Sequence, residues 1–331
     1  YGHGAVTVAR AALDGGATGL CVAMVQEGVR LREAGIDAPV LVLSEQSPDD
    51  MRTAVQHDLQ LTVYSGRALD IIADAGGVQH PVHLKIDTGM HRVGASPDDA
   101  VALADAIASS AAVGLAGVCT HLAVADEPDH PYTRQQLDLF DRVLDQLSAA
   151  GHRVPLVHAG NSAGAIVHPR ARYSMVRPGI AIYGVSPGHG VDHLVEPLGL
   201  QPAMALKARV SHVQRRAAGE SLSYGLRHTF AADTTVATVP LGYADGVARR
   251  FSAVGGEVLV GGRRCPVVGV VTMDQLMVDV GDQSVQVGDE VVLIGRQGPE
   301  VVTATEWADR LGTIAYEVLC AVSARVPRVA V

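Results

Sequence analysis

The chain has 331 residues, 48% of them apolar and 18% charged, which rules out disorder and is enough for about two domains at roughly 150 residues each. Acidic side chains outnumber lysine plus arginine by 35 to 26; the net charge of −9 argues against a nucleic-acid or anionic-membrane partner, which needs a basic face. Four cysteines, Cys21, Cys119, Cys265 and Cys320, lie far apart with no CxxC pair, so a reducing cytoplasm is expected rather than a disulfide scaffold.

The chain opens on Tyr1-Gly2-His3-Gly4 with no initiator Met, so a preceding segment is expected to be absent. From there, short β-branched runs alternate with Ala/Leu/Arg-rich amphipathic runs. Strands are expected near residues 18–23, 39–43, 59–64, 81–87, 114–121, 154–159 and 172–177. Helices fall between them, as at 101–107 and at 133–147, where Leu137, Phe140, Leu144 and Leu147 recur at helical spacing. Such alternation predicts a parallel sheet with helices outside it. Seven strands are one fewer than a closed parallel β/α (TIM-type) barrel needs. The expected fold is therefore such a barrel without its first strand, with an open seven-stranded sheet as the alternative.

The Gly/Pro/His-rich run 187–199 reads as a linker. After it come strand-like runs at 205–213, 234–240, 257–260, 265–271, 276–280 and 290–294, punctuated by Gly-Gly and Gly-Asp turns. The one helix expected here is 305–311, capped by Thr303 or Thr305. The expected domains are a β/α barrel over 1–198 and a β-rich domain over 199–331. No apolar run reaches the ~18 residues of a membrane span.

In a β/α barrel, chemistry sits where the strands end. Residues 85–92, Lys-Ile-Asp-Thr-Gly-Met-His-Arg, close the fourth expected strand, and Thr120-His121 the fifth. His158-Ala159-Gly160-Asn161-Ser162 close the sixth, and Arg177-Pro178-Gly179-Ile180 the seventh. Amides at Gly179 and Ile180 and the Ser162 hydroxyl suit a phosphate. Arg177 supplies a permanent cation, His121 a flat ring, and Arg92 a fork for a carboxylate. Each alone has an ordinary reading: a paired arginine, a hydrogen-bonded histidine, a helix-capping serine. Lys85 in an apolar strand would point inward and need a partner, for which Asp87 is nearest in sequence. Metal hydrolysis is disfavoured, since no HExxH, GxxxxGK[ST] or early His-x-His strand end occurs. Tyr224 and Tyr243 each adjoin a glycine, where a side chain is presented rather than packed. A tyrosine with nearby cations can serve as a general base.

Together these segments resemble the alanine racemase family, two-domain enzymes that use pyridoxal 5′-phosphate (PLP). The resemblance rests on nine segments in order. They are Tyr1-Gly2-His3-Gly4; residues 85–92; Thr120-His121 with Ala125-Asp126-Glu127; residues 158–162; and residues 177–180 with Tyr183-Gly184. Ser223-Tyr224-Gly225, residues 242–246 (Gly-Tyr-Ala-Asp-Gly), residues 272–275 (Thr-Met-Asp-Gln) and Tyr316-Glu317-Val318 complete them.

The resemblance implies a role for each residue. Arg177 would hold the cofactor's pyridine nitrogen and His121 would pack on its ring. Tyr1, Ser162, Gly179, Ile180 and Tyr316 would hold its phosphate, with Asn161 nearby. Arg92 and the Met273 amide would bind the substrate carboxylate. Lys85 would be carbamylated and fix Arg92. Tyr224 would be a catalytic base reaching in from the partner of a homodimer. The family's PLP lysine falls four residues before Tyr1, and the only lysines here are Lys85 and Lys207. The resemblance thus implies a cytoplasmic, homodimeric racemase that interconverts L- and D-alanine for peptidoglycan. This chain, as written, is expected to be inactive. The alternatives are another PLP enzyme of this fold, such as a broader racemase or a decarboxylase, or a non-catalytic PLP binder.

Overall fold

The computed structural model describes residues 1–76 and 78–331. It contains two compact units: Ala5–Ile182 with Ser186–Leu200, and Tyr1–Gly4 with Tyr183–Val185 and Gln201–Val331.

In the first unit, β1 (Leu20–Val22), β2 (Val40–Val42), β3 (Gln60–Val63), β4 (His80–Lys85), β5 (Val113–Cys119) and β6 (Leu156–His158) form one parallel sheet in sequence order. It curls as a TIM-type half-barrel. Helix α1 (Ala5–Asp14) precedes it. Helices α2 (Val25–Glu33), α3 (Pro48–Gln56), α4 (Gly66–Asp74), α5 (Ala100–Ser109), α6 (Tyr132–Ala149) and α7 (Ser162–Val167) follow successive strands. Strands covered on both faces need continuous apolar runs, and Val40, Leu41 and Val42 are all buried. The spacing read in α6 sets its inner face at Leu137, Phe140 and Leu147, which are buried together with Val143, while Leu144 is only partly buried. Three helices start on side-chain caps. Ser47 accepts from the Asp50 amide, Ser65 from the Ala68 amide and Asn161 from the Gly164 amide.

The expected strand at 172–177 does not form. Pro169–Arg172 is a 3₁₀ turn, and Tyr173 adopts φ 41°, which breaks any extended run. The Ser174 side chain takes the Val157 amide at 2.7 Å, and the run 172–177 meets β6 through one isolated parallel bridge, His158 to Met175, rather than a ladder. The run 187–199 is likewise no extended linker. It holds the turn His189–Val191, helix α8 (Asp192–Val195) and the turn Glu196–Leu198, with Val191 and Val195 buried.

In the second unit, β7 (Leu206–Arg209), β8 (His212–Arg216), β11 (Thr234–Val239), β12 (Glu257–Val260), β13 (Arg263–Val268), β14 (Leu276–Gly281), β15 (Glu290–Gln297) and β16 (Glu300–Val302) form an antiparallel sheet. A small hairpin, β9 (Ser221–Leu222) with β10 (His228–Thr229), carries Tyr224 in its connection. Helix α9 (Ala304–Leu311) is capped by Thr303, which accepts from the Glu306 amide, and ends on Gly312 at φ 67°. A second helix, α10 (Ala315–Ala321), was not expected from the sequence. Its seven residues are too few for the periodicity to stand out. No described helix is long and apolar enough to cross a membrane.

Candidate functional site

Register levels the strand ends. Lys85 pairs with Cys119 and Cys119 with His158, so β4, β5 and β6 finish in one row. Just beyond that row stand Arg92, His121, Asn161, Ser162 and Arg177. The first unit thus brings together eight expected site residues: Lys85, Arg92, His121, Asn161, Ser162, Arg177, Gly179 and Ile180.

Arg177 is half-buried and heavily bonded. Its Nη1 donates to His158 Nδ1 at 2.5 Å. Its Nη2 donates to the Thr120 and Ala159 carbonyls at 2.9 and 3.1 Å and to His121 Nδ1 at 3.3 Å. Its Nε–H has no partner among the described residues. His121 is held neutral, its pKa pushed down to about 3 by burial first and then by Arg177, Arg92 and Lys85. Buried Gln136 on α6 fixes the backbone there, donating to the His121 carbonyl at 3.0 Å and accepting from the Ala123 amide at 2.8 Å.

Lys85 is 8% exposed and forms no ion pair or hydrogen bond among the described residues. Asp87 is not its partner. That carboxylate accepts from the Gly89 and His91 amides, each at 3.0 Å, and from His91 Nδ1 at 3.1 Å. The 87–91 turn consumes it because those donors lie within four residues. Burial, then Arg92 and Arg177, push the Lys85 pKa down, and Asp87 acts on it less than either arginine. The exposed Arg92 also carries no ion pair among the described residues.

Ser162 is buried, and its Oγ accepts from the Gly179 and Ala181 amides at 2.8 and 3.3 Å. Asn161 spends its carbonyl on the Gly164 amide at 2.8 Å. A serine hydroxyl and loop amides thus face one another across a gap of hydrogen-bond length.

The second unit holds Tyr1, Tyr224, Met273 and Tyr316. The Tyr1 ring lies 4.9 Å from that of Tyr183 and 5.8 Å from that of Tyr316. Tyr224 is 74% exposed, and the residues around it are forced left-handed, with φ 66° at Ser223, 72° at Gly225 and 47° at Leu226. Met273 is exposed on a turn tied to the 242–246 loop. The Tyr243 amide donates to the Thr272 carbonyl at 2.9 Å, and the Ala244 amide to the Met273 carbonyl at 3.0 Å. Arg325 joins the same two loops, contacting Asp245 at 3.3 Å and Asp274 at 2.8 Å.

Three buried or half-buried polar residues here escaped sequence reasoning: Gln60, His83 and Gln136. For His83 a signal existed. It lies two residues before Lys85 in one strand, hence on the same face. Gln60 and Gln136 had none, because a lone glutamine reads as surface.

The alanine racemase N-terminal domain profile matches residues 1–187, and the C-terminal domain profile residues 203–330. The alanine racemase of Symbiobacterium thermophilum is 50% identical over 332 residues, spanning 99% of this chain and 87% of that protein. That of Desulforamulus reducens is 46% identical over 335 residues, spanning 99% and 89%. Among solved structures, the alanine racemase from E. faecalis superposes with TM-score 0.91 at 40% identity, covering 99% of this chain and 87% of that one. The Bacillus anthracis alanine racemase with bound L-Ala-P gives TM-score 0.93 at 39% identity, covering 98% and 84%.

Proposed function

Because the chain belongs to the alanine racemase family, we propose that it forms the body of a cytoplasmic, homodimeric, PLP-dependent enzyme that interconverts L- and D-alanine, the D-isomer serving peptidoglycan. The observation that carries this reading is the donor set around His121. Arg177, Arg92 and Lys85 all act electrostatically on a neutral ring, and among the described residues none of the three forms an ion pair with an acid. Such a set fits a flat, anionic cofactor and a carboxylate substrate.

Bound PLP would supply an electron sink that lets the substrate's α-proton leave. The protein's own residues do the rest. Arg177, whose Nε–H has no partner among the described residues, would donate it to the ring nitrogen and, being permanently charged, would give that nitrogen no proton. This favours a racemase over a decarboxylase that sets an acid at that nitrogen. His121, kept neutral, would pack on the ring without adding charge. Ser162 Oγ and the Gly179 and Ile180 amides would hold the phosphate, the Gly179 amide giving up its bond to Ser162 Oγ, helped by Tyr1, Tyr316 and Asn161. Arg92 and the Met273 amide orient the substrate carboxylate. Tyr224, presented outward on its strained turn, takes or returns the α-proton on one face from the partner subunit.

Lys85 fits carbamylation. Its neutral amine attacks CO₂, forming a C–N bond and losing one proton. The new anion would pair with Arg92, which forms no ion pair among the described residues, in place of a buried unpaired cation.

The opposite-face base would be the lysine that the family places four residues before Tyr1. Lys85 carries the carbamate in this reading, and Lys207 is occupied with Glu290 at 3.0 Å on β7. The 331-residue chain alone is therefore expected to form no D-alanine from L-alanine. The test mixes this chain with PLP, reduces with borohydride and takes the intact mass, alongside a D-alanine assay. No adduct and no D-alanine, with both restored in a chain extended by that lysine-bearing segment, supports the reading. An adduct on Lys85, Lys207 or the Tyr1 amine overturns these assignments, and D-alanine formation by the 331 residues alone overturns the inactivity.

A further inference from the structure

Behind Arg177 lies a row of polar groups that the proposed chemistry does not use. His158 is fully buried at the end of β6, and His83 is 1% exposed on β4. His83 Nδ1 is 2.8 Å from His158 Nε2, and His83 Nε2 is 3.0 Å from Gln60 Oε1 on β3. With the 2.5 Å contact from Arg177 to His158 Nδ1, this is an unbroken chain across three strands.

Elementary proton accounting gives it a direction. A guanidinium only donates, so His158 Nδ1 must be a bare acceptor. The His158 proton then sits on Nε2 and is donated to His83 Nδ1. The His83 proton therefore sits on its own Nε2 and is donated to Gln60 Oε1. The chain ends on a neutral amide, so no carboxylate cancels the Arg177 charge. The fold also makes room for it. A Cβ at Gly117 on β5 would come within 2.5 Å of His83 Nδ1 and 2.9 Å of its Cε1. Glycine at that position leaves the ring its place.

The geometry points to a positioning relay: Gln60, His83 and His158 form a one-way hydrogen-bond chain that holds the Arg177 guanidinium in one orientation and leaves its Nε–H as the donor to the cofactor's ring nitrogen. The relay itself stands on the contacts above; only the last donor rests on the proposed role of Arg177. Burial and Arg177 push the His83 pKa down to about 4 and that of His158 further, so both rings stay neutral at physiological pH.

The test reads tautomers directly. The full chain, labelled with [15N]histidine and without added PLP, is examined at pH 7 by long-range 1H–15N NMR, with the two rings assigned from H83Q and H158Q. Both rings are expected to be neutral with the proton on Nε2. Gln60→Leu removes the terminal acceptor, so the His83 Nε2 proton should lose its hydrogen-bonded downfield shift while Arg177 still keeps both protons on Nε2; Gln60→Glu, which still accepts, should restore that shift. A proton on Nδ1 of either wild-type ring, a charged ring, or an unmoved His83 Nε2 proton in Gln60→Leu overturns the relay. The wild-type spectrum decides even if a variant fails to fold.

The link to the cofactor has its own readout. Equilibrium dialysis compares PLP with the analogue that has carbon in place of the ring nitrogen. The wild-type preference for PLP should fall roughly tenfold in Gln60→Leu, the weight of one charge-assisted hydrogen bond. An unchanged preference overturns the coupling of the relay to Arg177. No preference in the wild type, with the tautomers as expected, overturns the role of Arg177 and leaves the relay standing.

Discussion

Lys85 is a buried amine that feels the charges of Arg92 and Arg177 and that no acid bonds among the described residues. Its lowered pKa raises the neutral, nucleophilic fraction near pH 7 to 8, so carbamylation is expected under bicarbonate. With 13C-bicarbonate, NMR should show one carbamate carbon that disappears on acidification and is absent from Lys85→Arg; no such signal in the wild type would refute the modification. Gly242 shows a different constraint. A Cβ there would lie 2.3 Å from both the Thr272 and Met273 carbonyl oxygens, whose strand-like bonds to residues 243 and 244 hold the Met273 turn. Gly242→Ala must push the two loops apart, at a cost of about 1 to 3 kcal/mol. Urea unfolding should register that loss, and a midpoint equal to the wild type would show that the loops absorb the methyl group.

At the scale of elements, capping and ion pairing decide which segments hold. Helix α9 begins on Thr303, whose hydroxyl accepts the Glu306 amide at 3.0 Å. Thr303→Ala is expected to cost about 1 kcal/mol, seen as a lowered Tm, while Thr305→Ala, one residue inside the helix, should cost less. Equal losses would mean that the cap contributes nothing. The same helix is tied to its sheet by Arg264, which reaches Glu300 at 3.1 Å and Glu306 at 2.7 Å, and by Arg310, which reaches Glu257 at 2.6 Å. These groups are about a third exposed, so the network matters through its number of links rather than any single pair. In α6, Phe140 is fully buried against Tyr173, ring to ring at 5.5 Å. That packing anchors the turn which takes the place of a strand at 172–177.

For the whole molecule, the buried neutral histidines set a pH dependence. His83 and His121 titrate near 4 and 3 in the folded protein, against about 6.5 when unfolded. Between those values the unfolded chain binds more protons, so stability rises with pH and levels off above about 6.5. Denaturant midpoints should climb from pH 4.5 to pH 7 and then flatten, with a shallower climb in His83→Gln. A flat profile across that range would contradict the neutral burial of these rings.

Six of the seven expected strands with the helices between them, the strand ends near Lys85, His121 and Asn161, and the family were legible in the sequence because each leaves a local mark. A buried parallel strand must be apolar throughout, and the residues that close it are short, polar and rich in glycine. What only the tertiary structure decided is which of several possible conformations and partners each group takes. Nothing near Asp87 announces that its own turn consumes it and leaves Lys85 alone. Nothing in the run 172–177 shows that Tyr173 turns left-handed and ends the pattern at six strands. Gln60, His83 and His158 stand on three different strands, and only the register of a folded sheet sets them within 3.0 Å of one another along a single chain. Local propensity is a property of neighbouring residues, whereas a hydrogen-bond partner is chosen by the fold.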